Sequence, residues 1–186
     1  GPAAKKAATA SARSAADAVA IARQYLGLGE LRLEKTRQMV FVDADGSHDP
    51  DDIPKLVLPI VDGAADHVTG SRLIGGSSEL HGGFDEFFRL TGSSFITACI
   101  NWRFGCALSE SQNGFRAIRT SVLRQLDLRE DTTTIEQEMI IKTLRQGWRM
   151  AEVPSHEHPR THGVSHIRLW RCAPRYGYSL FKHLFL

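Results

Sequence analysis

Paired cysteines are missing from this chain. Its three, Cys99, Cys106 and Cys172, are odd in number, and no two stand in C-x-x-C spacing. That argues against a disulfide framework or a zinc knuckle and for a reducing compartment. Long apolar runs are missing as well: no window of roughly 18 residues is uninterrupted, so the sequence offers no candidate transmembrane helix. Net charge is slight, +2 over 186 residues, and does not by itself point to nucleic acid. There is no initiating methionine. The opening Gly1-Pro-Ala-Ala-Lys-Lys6 lacks the profile of a signal peptide and reads as a processed, tagged or truncated beginning. No internal repeat is visible.

What remains is ordinary for a globular protein, with 42% apolar and 24% charged residues. The length suits one domain or two small ones with a real core. Charge is unevenly placed. From Lys142 onward the sequence carries +6, which leaves about −4 for the rest. A basic C-terminal quarter fits either a phosphate-bearing partner or anionic membrane surface, or simply a solvated face.

The alanine-rich residues 7–26 predict a helix ended by Gly27 and Gly29. Gln38 to Val42 is short and β-rich, and its consecutive apolar residues predict a buried strand. A polar turn, Asp43 to Pro50, follows. Ile53, Leu56, Val57 and Ile60 then mark an amphipathic helix opened by Pro50, Asp51 and Asp52. Further strands are predicted at 66–70, 114–118 and 148–153. Helices are predicted at 84–104, at 120–127 and after Thr133-Thr134, where Glu136 and Gln137 complete a capping pattern and Gly147 is the stop. The stripe Ile135, Met139, Leu144 is expected to pack in the core, and Trp102, Trp148 and Trp170 to serve as core or interface anchors. Strands alternating with helices predict an α/β sheet flanked by helices.

The strongest local signal is Asp43-Ala44-Asp45 at the end of a strand. Open α/β sheets bind ligands beyond the carboxyl ends of their strands. Alternate residues of an extended segment point the same way, so the two carboxylates can converge on one point. Hard oxygens there suit Mg²⁺ or Mn²⁺. The competing reading is a turn whose aspartates cap the following helix.

The neighbours of this motif carry a resemblance. Val40 to Pro54 (VFVDADGSHDPDDIP) resembles the metal-binding segment of glycosyltransferase family 2, most closely the dolichyl- and polyprenyl-phosphate sugar transferases. Ala65 to Arg72 (ADHVTGSR) is similar to their second motif. Glu110 to Ala117 (ESQNGFRA) is similar to the third, where the family usually begins with Asp. Glu138 to Lys142, Glu152 to Glu157 and Arg160 to His166 resemble the closing motifs. The resemblance implies a GT-A, Rossmann-like mixed sheet. It implies an inverting hexosyltransferase that moves a sugar from a nucleotide-sugar donor, of GDP-mannose or UDP-glucose type, to a polyprenyl or dolichyl phosphate. It further implies that Asp43 and Asp45 hold the metal, that Asp43, Asp45 and Arg72 bind the donor, and that Asp45 and Glu110 serve catalysis. Arg116, Arg160, Ser165 and His166 are then the phosphate-binding residues on the acceptor side. For Glu110 an ion pair with Arg116 or Arg119 is an equal alternative.

The family's opening Asn-Glu strand and Asp-Asp-Gly-Ser turn, which grip the nucleotide, do not occur in residues 1–37. Ser47 stands where some members place a metal-binding Gln, with His48 beside it, and Ser165-His166 replaces a Ser-Lys. The expected organisation is a divergent or truncated N-terminus over 1–37, a GT-A portion over 38–166 and an amphipathic helix over 167–186. That last helix either lies in a membrane interface, at the cytoplasmic face, or docks on the domain. His156, His158, His162 and His166 are expected to serve near phosphates rather than bind zinc, their spacing being irregular. Two alternatives to a lipid-phosphate transferase stand open. One is a non-catalytic, membrane-associated binding module. The other is a family 2 transferase acting on a sugar hydroxyl, which would need a true base.

Overall fold

The structure, a computed structural model, describes residues 37–43, 46–78, 84–130, 133–159 and 169–186. The helix expected over 7–26 lies outside them. Four strands form one mixed sheet in the order β1-β3-β2-β4: β1 Gln38–Phe41, β2 His67–Ser71, β3 Arg116–Arg119 and β4 Met150–Pro154. β3 runs antiparallel to both neighbours, pairing Phe41 with Arg116 on one side and Thr69 with Arg116 on the other. β4 runs parallel to β2, with His67 beside Met150 and Ser71 beside Pro154. The carboxyl ends of β1, β2 and β4 therefore meet the amino end of β3 along one rim.

Six helices accompany the sheet among the described residues: α1 Ile53–Val61, α2 Arg72–Gly75, α3 Phe84–Phe104, α4 Thr120–Leu123, α5 Ile135–Arg145 and α6 Leu169–Phe185. A 3-10 turn, Pro50–Asp52, leads into α1, and the Asp49 side chain caps it by accepting from the Asp51 N–H at 2.9 Å. The expected amphipathic face is observed. Ile53, Leu56, Val57, Ile60 and Val61 are buried against Val68, Phe115 and Ala117.

Period-2 alternation distributes the strand residues between two cores. On β3, Ala117 faces α1, while Ile118 faces Val122, Leu126 and Met139. On β1, Val40 and Phe41 divide in the same way. A third cluster joins α3, α5 and α6 through Ile96, Ile100, Ile140, Ile141, Leu180 and Leu184. Each such side chain, fully buried, contributes about 1.5–3 kcal/mol.

Three expectations need correction. β1 packs on both faces but is nowhere fully buried. It is an edge strand among the described residues, and Met39 is 41% exposed with Val42 at 44% beyond it. Thr134 precedes α5 without a side-chain cap bond; its hydroxyl instead donates to Glu130 at 2.8 Å. Trp102 is no core residue, standing 78% exposed on α3. Other expectations agree with the structure. Met139 is buried, with Ile135 and Leu144 packed partly buried, and Gly147, at φ +76°, follows the end of α5. The C-terminal helix packs on the domain through one face: Ser179, Leu180, His183 and Leu184 are buried, while Tyr178, Phe181 and Phe185 are exposed. No helix among the described residues is long and apolar enough to cross a membrane.

Glu138 locks α5 to the preceding loop. It is wholly buried and accepts from the Arg129 N–H at 3.0 Å and the Glu130 N–H at 2.8 Å. Lys142, one helical turn on, pairs with it at 2.7 Å. Burial works to raise the Glu138 pKa, but Lys142 and the two backbone N–H groups outweigh it and leave it lowered. Its contribution is thus complete above the ordinary carboxylate range and is lost as pH falls through the depressed folded value. Glu138→Ala is expected to cost about 2–4 kcal/mol, because Lys142 and the two N–H donors lose their acceptor. Urea unfolding at neutral pH measures this, and the gap between wild type and variant should narrow in acid.

Candidate functional site

The rim described above carries a cavity of about 410 Å³. Asp43 enters it from the end of β1, Arg72 from the end of β2, Glu110, Asn113 and Gly114 from the approach to β3, and Glu157 from the loop after β4. Glu136, in the first turn of α5, also lines it.

Arg72 organises this end. Its Nε donates to Glu110 Oε1 at 2.8 Å, and its Nη1 donates to both Glu157 oxygens at 3.0 and 3.1 Å. Its Nη2 donates to Glu110 Oε1 and, at 3.3 Å, to the Gln112 carbonyl. All five guanidinium N–H groups thus have acceptors. The Arg72 backbone N–H donates to Glu110 Oε2 at 2.8 Å. Burial opposes its charge, yet the two carboxylates hold the Arg72 pKa raised. An arginine so engaged has no spare donor for a phosphate, which is the role expected of it. Glu110 pairs with Arg72, and not with Arg116 or Arg119; Arg119 instead reaches Asp66 at 3.2 Å.

Asp43 is the open carboxylate, its side chain 52% exposed. His48 Nε2 lies 3.3 Å from Asp43 Oδ2, and the His48 ring stacks on Phe115 with centroids 4.9 Å apart. The His48 hydrogen bond lowers the Asp43 pKa most; burial opposes it, and the charges of Arg116 and Arg72 assist. Gly114 makes room for this carboxylate, since a Cβ there would fall onto both Asp43 oxygens.

Arg116 is buried, 1% exposed, and does not line the cavity. Its Nε donates to the Asn113 carbonyl at 3.1 Å and its Nη1 to the Glu136 carbonyl at 3.1 Å. Burial lowers its pKa, while Glu136, Asp43 and Glu110 act to sustain its charge. It therefore sits beneath the site as a cation without a carboxylate contact among the described residues. Asp45, Arg160, Ser165 and His166 lie outside the described residues, as do His162 and Trp170's side chain.

Sequence reasoning gave no role to Glu157 or Glu136. Glu157 had a signal, since it ends a motif-like stretch. Glu136 had none beyond its place in a helix's first turn. Burial raises its pKa, with Asp43 and Glu110 adding to the rise and Arg116 and Arg72 opposing it.

A divalent cation fits this donor set in part. Asp43 offers an ionised hard oxygen to the cavity, whereas Glu110 and Glu157 are committed to Arg72. Among the described residues no group of three His, Cys, Asp or Glu side chains is placed to hold a metal. Mg²⁺ commonly takes one or two carboxylates and completes its shell with water and substrate phosphates, so one such ligand is compatible.

Gly114→Ala is expected to displace the Asp43 carboxylate and to weaken Mn²⁺ binding, measured by water-proton relaxation, about tenfold or more. Arg72→Lys cannot reproduce the fork and leaves buried carboxylate oxygens unpaired. It should lose about 2–4 kcal/mol of stability by urea unfolding.

Residues 31–127, just over half the chain, match the profile of the family described as Glycosyl transferase family 2. The chain is 32% identical over 117 residues to the UDP-N-acetylglucosamine–dolichyl-phosphate N-acetylglucosaminyltransferase of Methanococcus voltae, covering 62% of this chain and 45% of that protein. It is 31% identical over 120 residues to the undecaprenyl-phosphate mannosyltransferase of Micrococcus luteus, covering 62% and 47%. To the polyprenol monophosphomannose synthase of Mycolicibacterium smegmatis it is 29% identical over 130 residues, covering 68% and 48%. It spans about half the length of the curated relatives it matches. Glucosyl-3-phosphoglycerate synthase from Mycobacterium tuberculosis superposes with a TM-score of 0.54 at 20% identity, covering 79% of this chain and 49% of that one. That likeness shows the fold, a mixed α/β sheet of GT-A type flanked by helices. By this match over more than half of its length, the chain belongs to glycosyl transferase family 2.

Proposed function

We propose that this chain works in a metal-dependent, inverting glycosyltransferase that moves a hexose from a GDP-mannose- or UDP-glucose-type donor to a polyprenyl or dolichyl phosphate. The observation that carries the reading is the ionised, half-exposed Asp43 at the carboxyl end of β1, open to a cavity whose other carboxylates are engaged by Arg72 or raised in pKa by burial. Family membership supports it, and so do relatives whose names specify lipid-phosphate acceptors.

In this reading Asp43 and Asp45 hold Mg²⁺ or Mn²⁺, which when bound would neutralise charge on the departing nucleoside diphosphate. Arg72 acts as a positioning residue: it fixes Glu110 and Glu157 so that the rim presents one geometry. Arg116 contributes positive potential from below. Arg160, Ser165 and His166 remain the proposed contacts to the acceptor phosphate. A phosphate nucleophile, with a second pKa near ~6, is largely ionised at neutral pH and needs little help from a base. The outward Tyr178, Phe181 and Phe185 of α6 suit contact with the cytoplasmic face of a membrane.

One observation favours a second reading, transfer to a sugar hydroxyl. Glu110 already accepts three hydrogen bonds, whereas Glu136 lines the cavity, has a raised pKa and makes no side-chain hydrogen bond among the described residues. A hydroxyl acceptor would give its proton to Glu136.

Transfer of labelled sugar to a polyprenyl phosphate with Mg²⁺ or Mn²⁺ tests the first reading. Asp43→Ala and Asp45→Ala should each lower kcat/KM about 10²-fold or more. Full activity in Asp45→Ala would remove the metal role. Glu136→Gln should change lipid-phosphate transfer less than about tenfold; a loss near 10³-fold, with donor binding kept, selects the hydroxyl reading. Calorimetric silence with GDP and UDP in the presence of Mn²⁺ would leave only a non-catalytic binding module.

A further inference from the structure

A carboxylate as exposed as that of Asp43 turns freely about its own bonds unless a neighbour fixes it. His48 is that neighbour. Its Nε2 lies 3.3 Å from Asp43 Oδ2, and its side chain is only 2% exposed. An ionised carboxylate can only accept, so Nε2 donates in either charge state of the ring. No donor among the described residues reaches Asp43 Oδ1, which leaves that oxygen available.

The ring itself is tightly placed. One face stacks on the wholly buried Phe115, with the two planes 12° from parallel. The His48 backbone bridges antiparallel to Glu157, and the His158 N–H donates to the Ser47 carbonyl at 2.8 Å. Glu157 is also the carboxylate that receives Arg72 Nη1. The segment after β4 therefore sets the Arg72 fork and the imidazole together.

Packing alone does not account for a histidine here. Nδ1 is buried and has no hydrogen-bond partner among the described residues, and a buried polar atom without a partner is costly. A phenylalanine would stack on Phe115 without that cost. What the imidazole adds is the Nε2 hydrogen at Asp43. Gly114 completes the setting, because only a residue without a Cβ leaves both Asp43 oxygens their place. A donor at Oδ2 and bare backbone beside both oxygens define one orientation of the carboxylate.

We propose that His48 is the positioning residue of Asp43, holding Oδ2 through its Nε2–H and leaving Oδ1 to a divalent cation in the cavity. This rests on the metal reading above and adds the residue that orients the ligand. Hydrogen bonds to a metal-binding side chain commonly change metal affinity 10- to 100-fold.

Two variants separate orientation from packing. His48→Phe keeps a ring on Phe115 and removes the donor. His48→Gln gives up the stack and keeps an N–H at about the reach of Nε2. Mn²⁺ binding by the full chain, followed by water-proton relaxation, should weaken about tenfold or more in His48→Phe and less than about threefold in His48→Gln. Thermal stability should follow the opposite order, with His48→Phe at or above wild type and His48→Gln below it. Added to Gly114→Ala, His48→Phe should weaken Mn²⁺ binding little further, since both changes act on one carboxylate. Long-range ¹H–¹⁵N correlation on the metal-free wild-type chain should show the His48 Nε2 protonated.

Wild-type Mn²⁺ affinity in a folded His48→Phe overturns the proposal and leaves the metal reading standing. A His48 ring protonated at Nδ1 alone overturns it too, whether or not either variant folds. A wild-type chain that binds no Mn²⁺ removes the metal reading, and the role of His48 with it.

Discussion

One guanidinium between two carboxylates holds the working end of this molecule together. Arg72 follows β2, Glu110 precedes β3 and Glu157 follows β4, so a single planar fork ties three segments that are 38 and 85 residues apart in sequence. Buried charges of this kind survive only when nearly every lone pair and proton is matched. Here they are. The Arg72 N–H and the Ser77 hydroxyl add donors to the two carboxylates, and Glu152 accepts from the Ser109 and Glu110 backbone N–H groups at 2.8 and 2.9 Å. The triad has an electrostatic consequence. Two carboxylates and one guanidinium leave a net negative charge beside an ionised Asp43, and a diphosphate approaches such a rim only in the company of a cation. Metal dependence in this reading follows from the rim's charge balance as much as from the DxD pair.

Local patterns made the elements legible. The apolar spacing from Ile53 to Ile60 gave α1, and the β-rich run from Gln38 gave β1, because each pattern is set by the geometry of one segment. Burial of β1 was not legible. Consecutive apolar residues indicate that a strand has two faces to cover, and Val40 and Phe41 do cover both. They say nothing about how many neighbours the strand has at its edges. Thr134 shows a related limit: a capping pattern specifies what is possible within four residues, and Glu130 competed successfully for the hydroxyl.

The site was legible in part for the same reason. Asp43 and Glu110 stood out as residue types at strand ends. The commitment of Arg72 could not be read, because its partners arrive from distant loops and the sequence does not record which acceptor a guanidinium finds. An isolated arginine beside an expected diphosphate is naturally taken for a phosphate ligand. Glu136 was hidden by a sufficient local explanation: acidic residues in a helix's first turn are favoured by the helix dipole whether or not they face a cavity.

Arg116 sets a positive potential beneath this negatively charged rim. It is fully buried, and its guanidinium rests on the carbonyls of Asn113 and Glu136. No carboxylate cancels it at contact distance among the described residues, so its field extends to Asp43, Glu110 and Glu136 together. A contact ion pair would have spent that charge on one partner. Kept on carbonyl dipoles in a low-dielectric setting, the cation acts on the whole rim at once and needs no motion to do so. It also helps explain why Asp43 remains ionised although burial opposes it. The arginine that faces the cavity is thus the structural one, and the arginine hidden beneath it supplies the unspent positive potential.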